Sequence, residues 1–134
     1  MHYFVIKEIK RPREDDVEKQ IEWLCDSFGF WNRRDRERTA TKVFEAFVDA
    51  AKRDRFLSSD DVAHRLKISR GTAVHHIKKY VRSGLVIKSD DGYELRMQSV
   101  GETLDEMERD MIHAMKMMRR IAKEIDEEMG LAEK

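Results

Sequence analysis

Apolar residues recur along this chain in two different periods, and the changes of period divide it. From Tyr3 to Lys10 (YFVIKEIK) a two-residue period puts Tyr3, Val5, Lys7 and Ile9 on one side of a strand. It reads as an edge strand or an ordered arm, ended by Pro12. Asp15 and Asp16 then open a helix in which Val17, Ile21, Leu24 and Phe28 follow helical spacing, with Trp23 and Cys25 beside them and Gly29 at the end. Ala40, Val43, Phe44, Phe47, Val48 and Ala51 form a wider stripe ending near Arg53. Such a stripe needs other helices over it, and the segment from Leu57 to Met97 is the natural cover.

In that segment Ser58 or Ser59 caps a helix running to about Lys67, with Asp60 and Asp61 in its first turn and Val62, Ala63 and Leu66 facing inward. Ile68 plugs the turn. Ser69 caps a second helix, over about residues 69–83. Ala73, Val74, Ile77, Tyr80 and Val81 fall within about 120° of one another at 100° per residue, centred on Ile77. Opposite stand Thr72, His75, Lys79 and Arg82, with His76 and Lys78 on the flanks. Gly84 stops the helix. Leu85-Val86-Ile87 reads as a strand, Ser89-Asp90-Asp91-Gly92 as a turn, and Tyr93 to Met97 as the return strand.

The last stretch, Glu102 to Met129, has no Pro or Gly and predicts one helix of about 42 Å, too long for the small domain before it to cover. Leu104, Met107, Met111, Ala114, Met118, Ile121 and Ile125 follow a three-and-four spacing, which Met115, Ala122 and Met129 widen. A Met-rich stripe invites a ligand pocket or a soft-metal site; Met also fills irregular packing seams, which is the reading preferred. The same helix of a second subunit covers the seam most economically, giving a two-fold homodimer. The expected organisation is an arm and helix over 1–38 packing on that interface, a helix-and-hairpin domain over 39–98, and a dimerisation helix over 99–134.

Charge changes this picture more than composition does. The 134 residues suit one domain with an extension, and their net charge is zero. Yet Arg65, Lys67, Arg70, Lys78, Lys79, Arg82 and Lys88 occur between Val62 and Lys88 with no Asp or Glu among them. The other residues therefore sum to minus seven, and residues 102–134 carry ten acids against six bases. A local positive field on a neutral chain points to a polyanion, duplex DNA first. The charged run Asn32 to Arg38 reads as the solvated start of the next helix.

Composition narrows the classes. Charged residues are 40% of the chain, against a usual ~25%, as befits a charge-covered globular protein. A single Cys excludes an intramolecular disulfide and leaves no basis for a Cys-based zinc site, so a reducing, cytoplasmic location is expected. The opening residues do not read as a signal peptide, and no stretch approaches the ~20 apolar residues of a membrane span. Gln20, Asn32 and Gln98 are the only side-chain amides, a weak hint of a thermophilic source. There is no Gly-rich phosphate loop, G-x-S-x-G elbow or H-E-x-x-H helix, and Cys25, His2, His64 and His113 form no nucleophile–base pair, so neither an enzyme nor a cofactor is expected. His75 and His76 diverge by about 100° on a helix, which argues against a shared metal ion.

The run S-R-G-T-A-V-H-H-I-K-K-Y-V-R-S-G-L-V resembles the recognition helix and first wing strand of winged helix-turn-helix transcription regulators, similar to the ArsR, MarR and TrmB-like groups of archaea and bacteria. The resemblance covers roughly Thr39 to Met97. It implies a mainly α fold with a small β-hairpin wing (α+β), the second helix in the major groove and the wing along the DNA backbone. Carried over by position, Ser69, Arg70, Thr72, His75 and His76 face base edges or nearby phosphates, and Lys79 and Arg82 neutralise phosphates. Lys88 and Arg96 at the base of the hairpin are better placed than its acidic tip, Asp90 and Asp91. Arg70 is the best candidate for base readout, since a guanidinium pairs with both acceptors of guanine. The Cys-x-Cys pattern of metal-sensing ArsR-like proteins is absent. Two other readings stay open: a winged helix serving as a protein-interaction module, and a repressor answering a small molecule held between dimer helices.

Overall fold

A computed structural model describes residues 16–30, 35 and 37–131 of the chain; the arm expected over Tyr3–Lys10 lies outside them. Helix α1 (Val17–Ser27) starts where Asp16 accepts a hydrogen bond from the Glu18 amide at 2.9 Å, one of the helix's unpaired donors. Gly29, at φ 72°, then turns the chain so that Phe30 folds back into the interior. Helix α2 (Thr39–Lys52) is capped from outside its own sequence. The Asp35 carboxylate accepts from the Thr39 amide at 2.7 Å and the Ala40 amide at 3.0 Å. Burial works to raise the Asp35 pKa, but those amide bonds prevail and hold it below the usual carboxylate value. Arg38 takes a left-handed conformation and donates to Asp26 at 2.6 Å, tying α1 to α2. Part of the charged run thus serves this junction.

Helix α2 is the centre of the molecule. Ala40, Thr41, Val43, Phe44, Ala46, Phe47 and Ala50 are all buried, while the expected Val48 and Ala51 are only half-buried. Helix α3 (Ser59–Leu66) begins with a reciprocal cap, Ser58 and Asp61 each accepting from the other's amide. Lys67, left-handed at φ 57°, turns the chain into helix α4 (Arg70–Ser83), which Ser69 caps and Gly84 closes at φ 88°.

The hairpin strands reach further into the turn than expected and stop short at the open end: β1 (Val86–Ser89) runs two residues past Ile87, and β2 (Gly92–Leu95) starts one residue before Tyr93 and ends before Arg96. They pair antiparallel, Val86 facing Leu95 and Ser89 facing Gly92. On the other side of β2, Leu57 exchanges hydrogen bonds with Tyr93 at 2.9 and 2.8 Å. Gly92 is required by that pairing: at φ 148°, a Cβ there would lie 2.9 Å from the Leu57 carbonyl oxygen.

Helix α5 (Val100–Met129) starts at a Ser99 cap and ends at Gly130. Only its first turns join the body. Thr103 and Met107 are buried and Leu104 packs on the core, but from Ile112 to Leu131 all side chains except Ala114 and Asp126 are exposed. The described residues are therefore mainly helical with one small antiparallel hairpin, an α+β arrangement. Among the described residues, no helix is long and apolar enough to cross a membrane.

Two expectations about α5 change here. Met107 is 2% exposed and Leu104 sits against the core of its own chain, so both support the body instead of facing outward as part of a seam. The reason is geometric: a 3.6-residue helix laid across a small domain buries only the turns that overlie it. Met111 and Ala114 are half-buried, and Met115, Met118, Ile121 and Ile125 remain exposed.

Candidate functional site

Helix α4 is held by its most buried side chain. Tyr80 lies between Phe30, tilted 50° to it at a centroid distance of 4.4 Å, and Phe44, stacked at 5.7 Å, and its hydroxyl donates to the Ala40 carbonyl at 2.5 Å. Cys25 lies 3.7 Å from the same hydroxyl, and burial pushes its thiol up to about 11, which leaves it protonated and inert. These contacts decide how α4 is rotated. The buried set is Ala73, His76, Ile77, Tyr80 and Ser83, with Val74 and Val81 only half-buried. At 100° per residue this arc lies roughly 60° from the one centred on Ile77.

The rotation moves one predicted contact inside. His76 is 8% exposed, so it does not present a donor to a partner outside. Its Nδ1 has no hydrogen-bond partner, and burial pushes its pKa below the ordinary imidazole value; the Asp35 charge opposes that, while His75 and Lys79 reinforce it. Its neighbour His75 points outward, the ring centroids 5.4 Å apart at 69°. The same rotation moves Lys78 from the flank to the middle of the exposed face, beside Gly71, His75 and Arg82. Sequence spacing missed Lys78 because five apolar residues fitted one arc well. The signal available was Tyr80, whose buried hydroxyl needs a partner and so pulls the arc toward itself.

The other predicted residues divide clearly. Ser69 is spent on local structure: its Oγ accepts from the Thr72 amide at 3.0 Å and donates to Thr72 Oγ1 at 2.8 Å. Thr72 and Arg82 are exposed, and Lys79 is half-buried. Arg70 is exposed at the first position of α4, with Asp60 3.5 Å from its Nε. Pairs this open to water hold weakly and exchange readily for another anion. Lys88 is exposed on β1. Arg96 is a correction: it is clamped by Asp110 at 2.5 Å and Glu106 at 3.8 Å, its side chain 17% exposed, and the Asp110 hydrogen bond holds the guanidinium charged. It anchors the hairpin to α5 and is not free for a phosphate. Arg65, also in the cationic run, is paired with Asp49 at 2.7 Å.

What remains is a continuous surface along α4 made of Arg70, Thr72, His75, Lys78, Lys79 and Arg82. No carboxylate lies on the helix itself, and its N-terminal end, where the backbone dipole is positive, opens the row. Lys78, Lys79, Arg82 and Lys88 have no salt-bridge partner among the described residues. Such a face supplies hydrogen-bond donors and positive charge; it holds no nucleophile set beside a base. No group of three or more metal-ligating side chains occurs among the described residues. Compared with family models, with curated proteins and with solved structures, the chain matches none.

Proposed function

We propose that the protein is a sequence-specific duplex-DNA-binding transcriptional regulator of the cytoplasm, working as a homodimer. In this reading α3, the turn at Lys67–Ser69 and α4 act as a helix-turn-helix, and the β1–β2 hairpin is its wing. The observation that carries it is the single sign of charge on the solvent face of α4. An ordinary amphipathic helix mixes carboxylates into its polar face, as α5 does.

The N-terminal half of α4 enters the major groove. Arg70 exchanges Asp60 for the two acceptors of a guanine, and Thr72 and His75 reach neighbouring base edges or phosphates. Lys78, Lys79 and Arg82 neutralise phosphates along the helix, and Lys88 does so from the hairpin. The acidic tip, Asp90 and Asp91, points the wing's contacts toward its base. Two copies present two such helices to successive turns of a palindromic site.

Selection of bound duplexes from a random pool, followed by titration at several salt concentrations, tests this. Affinity should fall with salt at a log–log slope of about −0.9 per phosphate contacted. Lys79→Glu should weaken all sequences alike, and Arg70→Ala should flatten discrimination between sites. Absence of duplex binding at low salt sinks the reading.

A further inference from the structure

His76 lies at the rim of the buried arc of α4. At 100° per residue it falls about 40° from Thr72 and about 60° from Lys79, its neighbours toward the solvent face. Its side chain is 8% exposed, and its Nδ1 is buried with no hydrogen-bond partner. The charged and titratable groups that face it are Asp35, from the segment leading into α2, and His75 and Lys79, from α4 itself. Asp35 is engaged at the start of α2, where its two oxygens accept from the Thr39 and Ala40 amides.

This place suits a neutral ring and not a charged one. An imidazolium donates from both nitrogens, and here Nδ1 would meet no acceptor while the Lys79 charge stands nearby. For packing alone, a Leu or Met at this position would fill the space with no polar atom to satisfy. What the ring lacks is an anion. Thr72 and Lys79 are both set against DNA in the reading above, so a phosphate laid on them comes alongside His76.

We propose that His76 is a proton-operated contact: neutral and turned inward in the free protein, it takes up a proton and turns outward to a phosphate when duplex DNA binds, so that affinity rises as pH falls. This deepens the DNA reading and rests on it. The step moves one proton from solvent to the ring and breaks no covalent bond. Tyr80, one turn further along the buried face, holds the helix in place while the ring turns. Burial keeps the free ring below the ordinary imidazole value of 6.5, and a phosphate favours the charged form, so the bound value lies above the free one. Between the two values each chain gains up to about tenfold in affinity per unit of pH lowered.

Calorimetric titration of the full chain with a mixed-sequence duplex at low salt, near pH 6.5 in two buffers of unlike ionisation heat, tests it. Wild type should take up more protons on binding than His76→Gln, by up to about one per chain, and His75→Gln should keep most of that difference. In NMR the His76 ring of the free chain should titrate below 6.5 and move upward when duplex is added. Duplex binding with equal proton uptake in wild type and His76→Gln overturns the proposal and leaves the DNA reading standing. So does a His76 ring already charged at that pH in the free chain. If His76→Gln does not fold, the ring titration of wild type decides, and a value unmoved by duplex overturns the proposal. A chain that binds no duplex at any pH overturns both.

Discussion

Helices α4 and α5 are both amphipathic, and each is finished on a different side. α4 buries most of its apolar face around Tyr80 and leaves exposed a polar face of one sign. α5 buries two side chains near its start and leaves an apolar stripe exposed along its outer half. An unfinished polar face lacks a charged partner, whose attraction is strong in reach and weak in shape. An unfinished apolar face lacks a partner that excludes water, whose attraction depends on fit. If the function proposed above holds, the two helices address different partners, and substitutions in each should be read by different measurements.

The largest contrast is in stability. Phe44→Ala, beneath α4, removes a fully buried ring stacked on Tyr80 and should cost about 3–5 kcal/mol in urea unfolding of dilute, monomeric chain. Met118→Ala, 63% exposed on α5, should stay within about 0.5 kcal/mol in the same measurement. If the second cost matched the first, the outer half of α5 would be supported within its own chain and the contrast would fail. Next comes charge. Lys78→Glu with Arg82→Glu should lower duplex affinity by roughly a hundredfold and reduce the salt slope by about two, with unfolding unchanged. Lys116→Glu, equally exposed but on α5, should leave the duplex titration where it was.

Ser69→Ala removes the cap that starts α4 and should cost about 1 kcal/mol. It should reduce binding only as far as the first turn of α4 loosens. The smallest effect separates two adjacent histidines. Burial depresses the His76 pKa in the folded protein, so below the ordinary value of 6.5 the unfolded chain takes up a proton that the folded chain refuses. Stability from this group is complete above that value and declines as pH falls from it toward the folded pKa. His76→Gln should flatten that part of the pH–stability curve, whereas His75→Gln, which leaves the burial of His76 unchanged and removes only a smaller contribution, should leave most of it in place.

The helix starts and stops were readable in the sequence because their causes are local. Ser58, Ser69, Gly84, Gly29 and Gly130 act on backbone groups within a few residues, and each sits at or beside the expected boundary. The exposed members of the candidate surface, Arg70, Thr72, His75 and Arg82, were readable for the same reason. The places of His76 and Lys78 were not, because moving one from the flank inward and the other outward depends on the Tyr80 hydroxyl meeting Ala40, forty residues away. Arg96 looked like a free cation from its strand, and nothing in its neighbourhood foretells Asp110 on the next helix. Gly92 looked like a turn residue, and its close approach to Leu57 comes from a strand pairing across the hairpin.

Taken alone, the sequence determined the order of the helices and the hairpin from residue 16 onward, the caps at Asp16, Ser58, Ser69 and Gly84, the one-signed stretch from Val62 to Lys88 and the apolar spacing of the last helix. These depend on neighbours within about four residues, whose geometry a helix or hairpin repeats everywhere. Tertiary structure decided which way α4 is turned, which cations are already paired, and where along α5 the body stops and an uncovered face begins. Those follow from contacts between distant segments, where a single buried hydroxyl or carboxylate outweighs a well-formed pattern because burying it unpaired is costly.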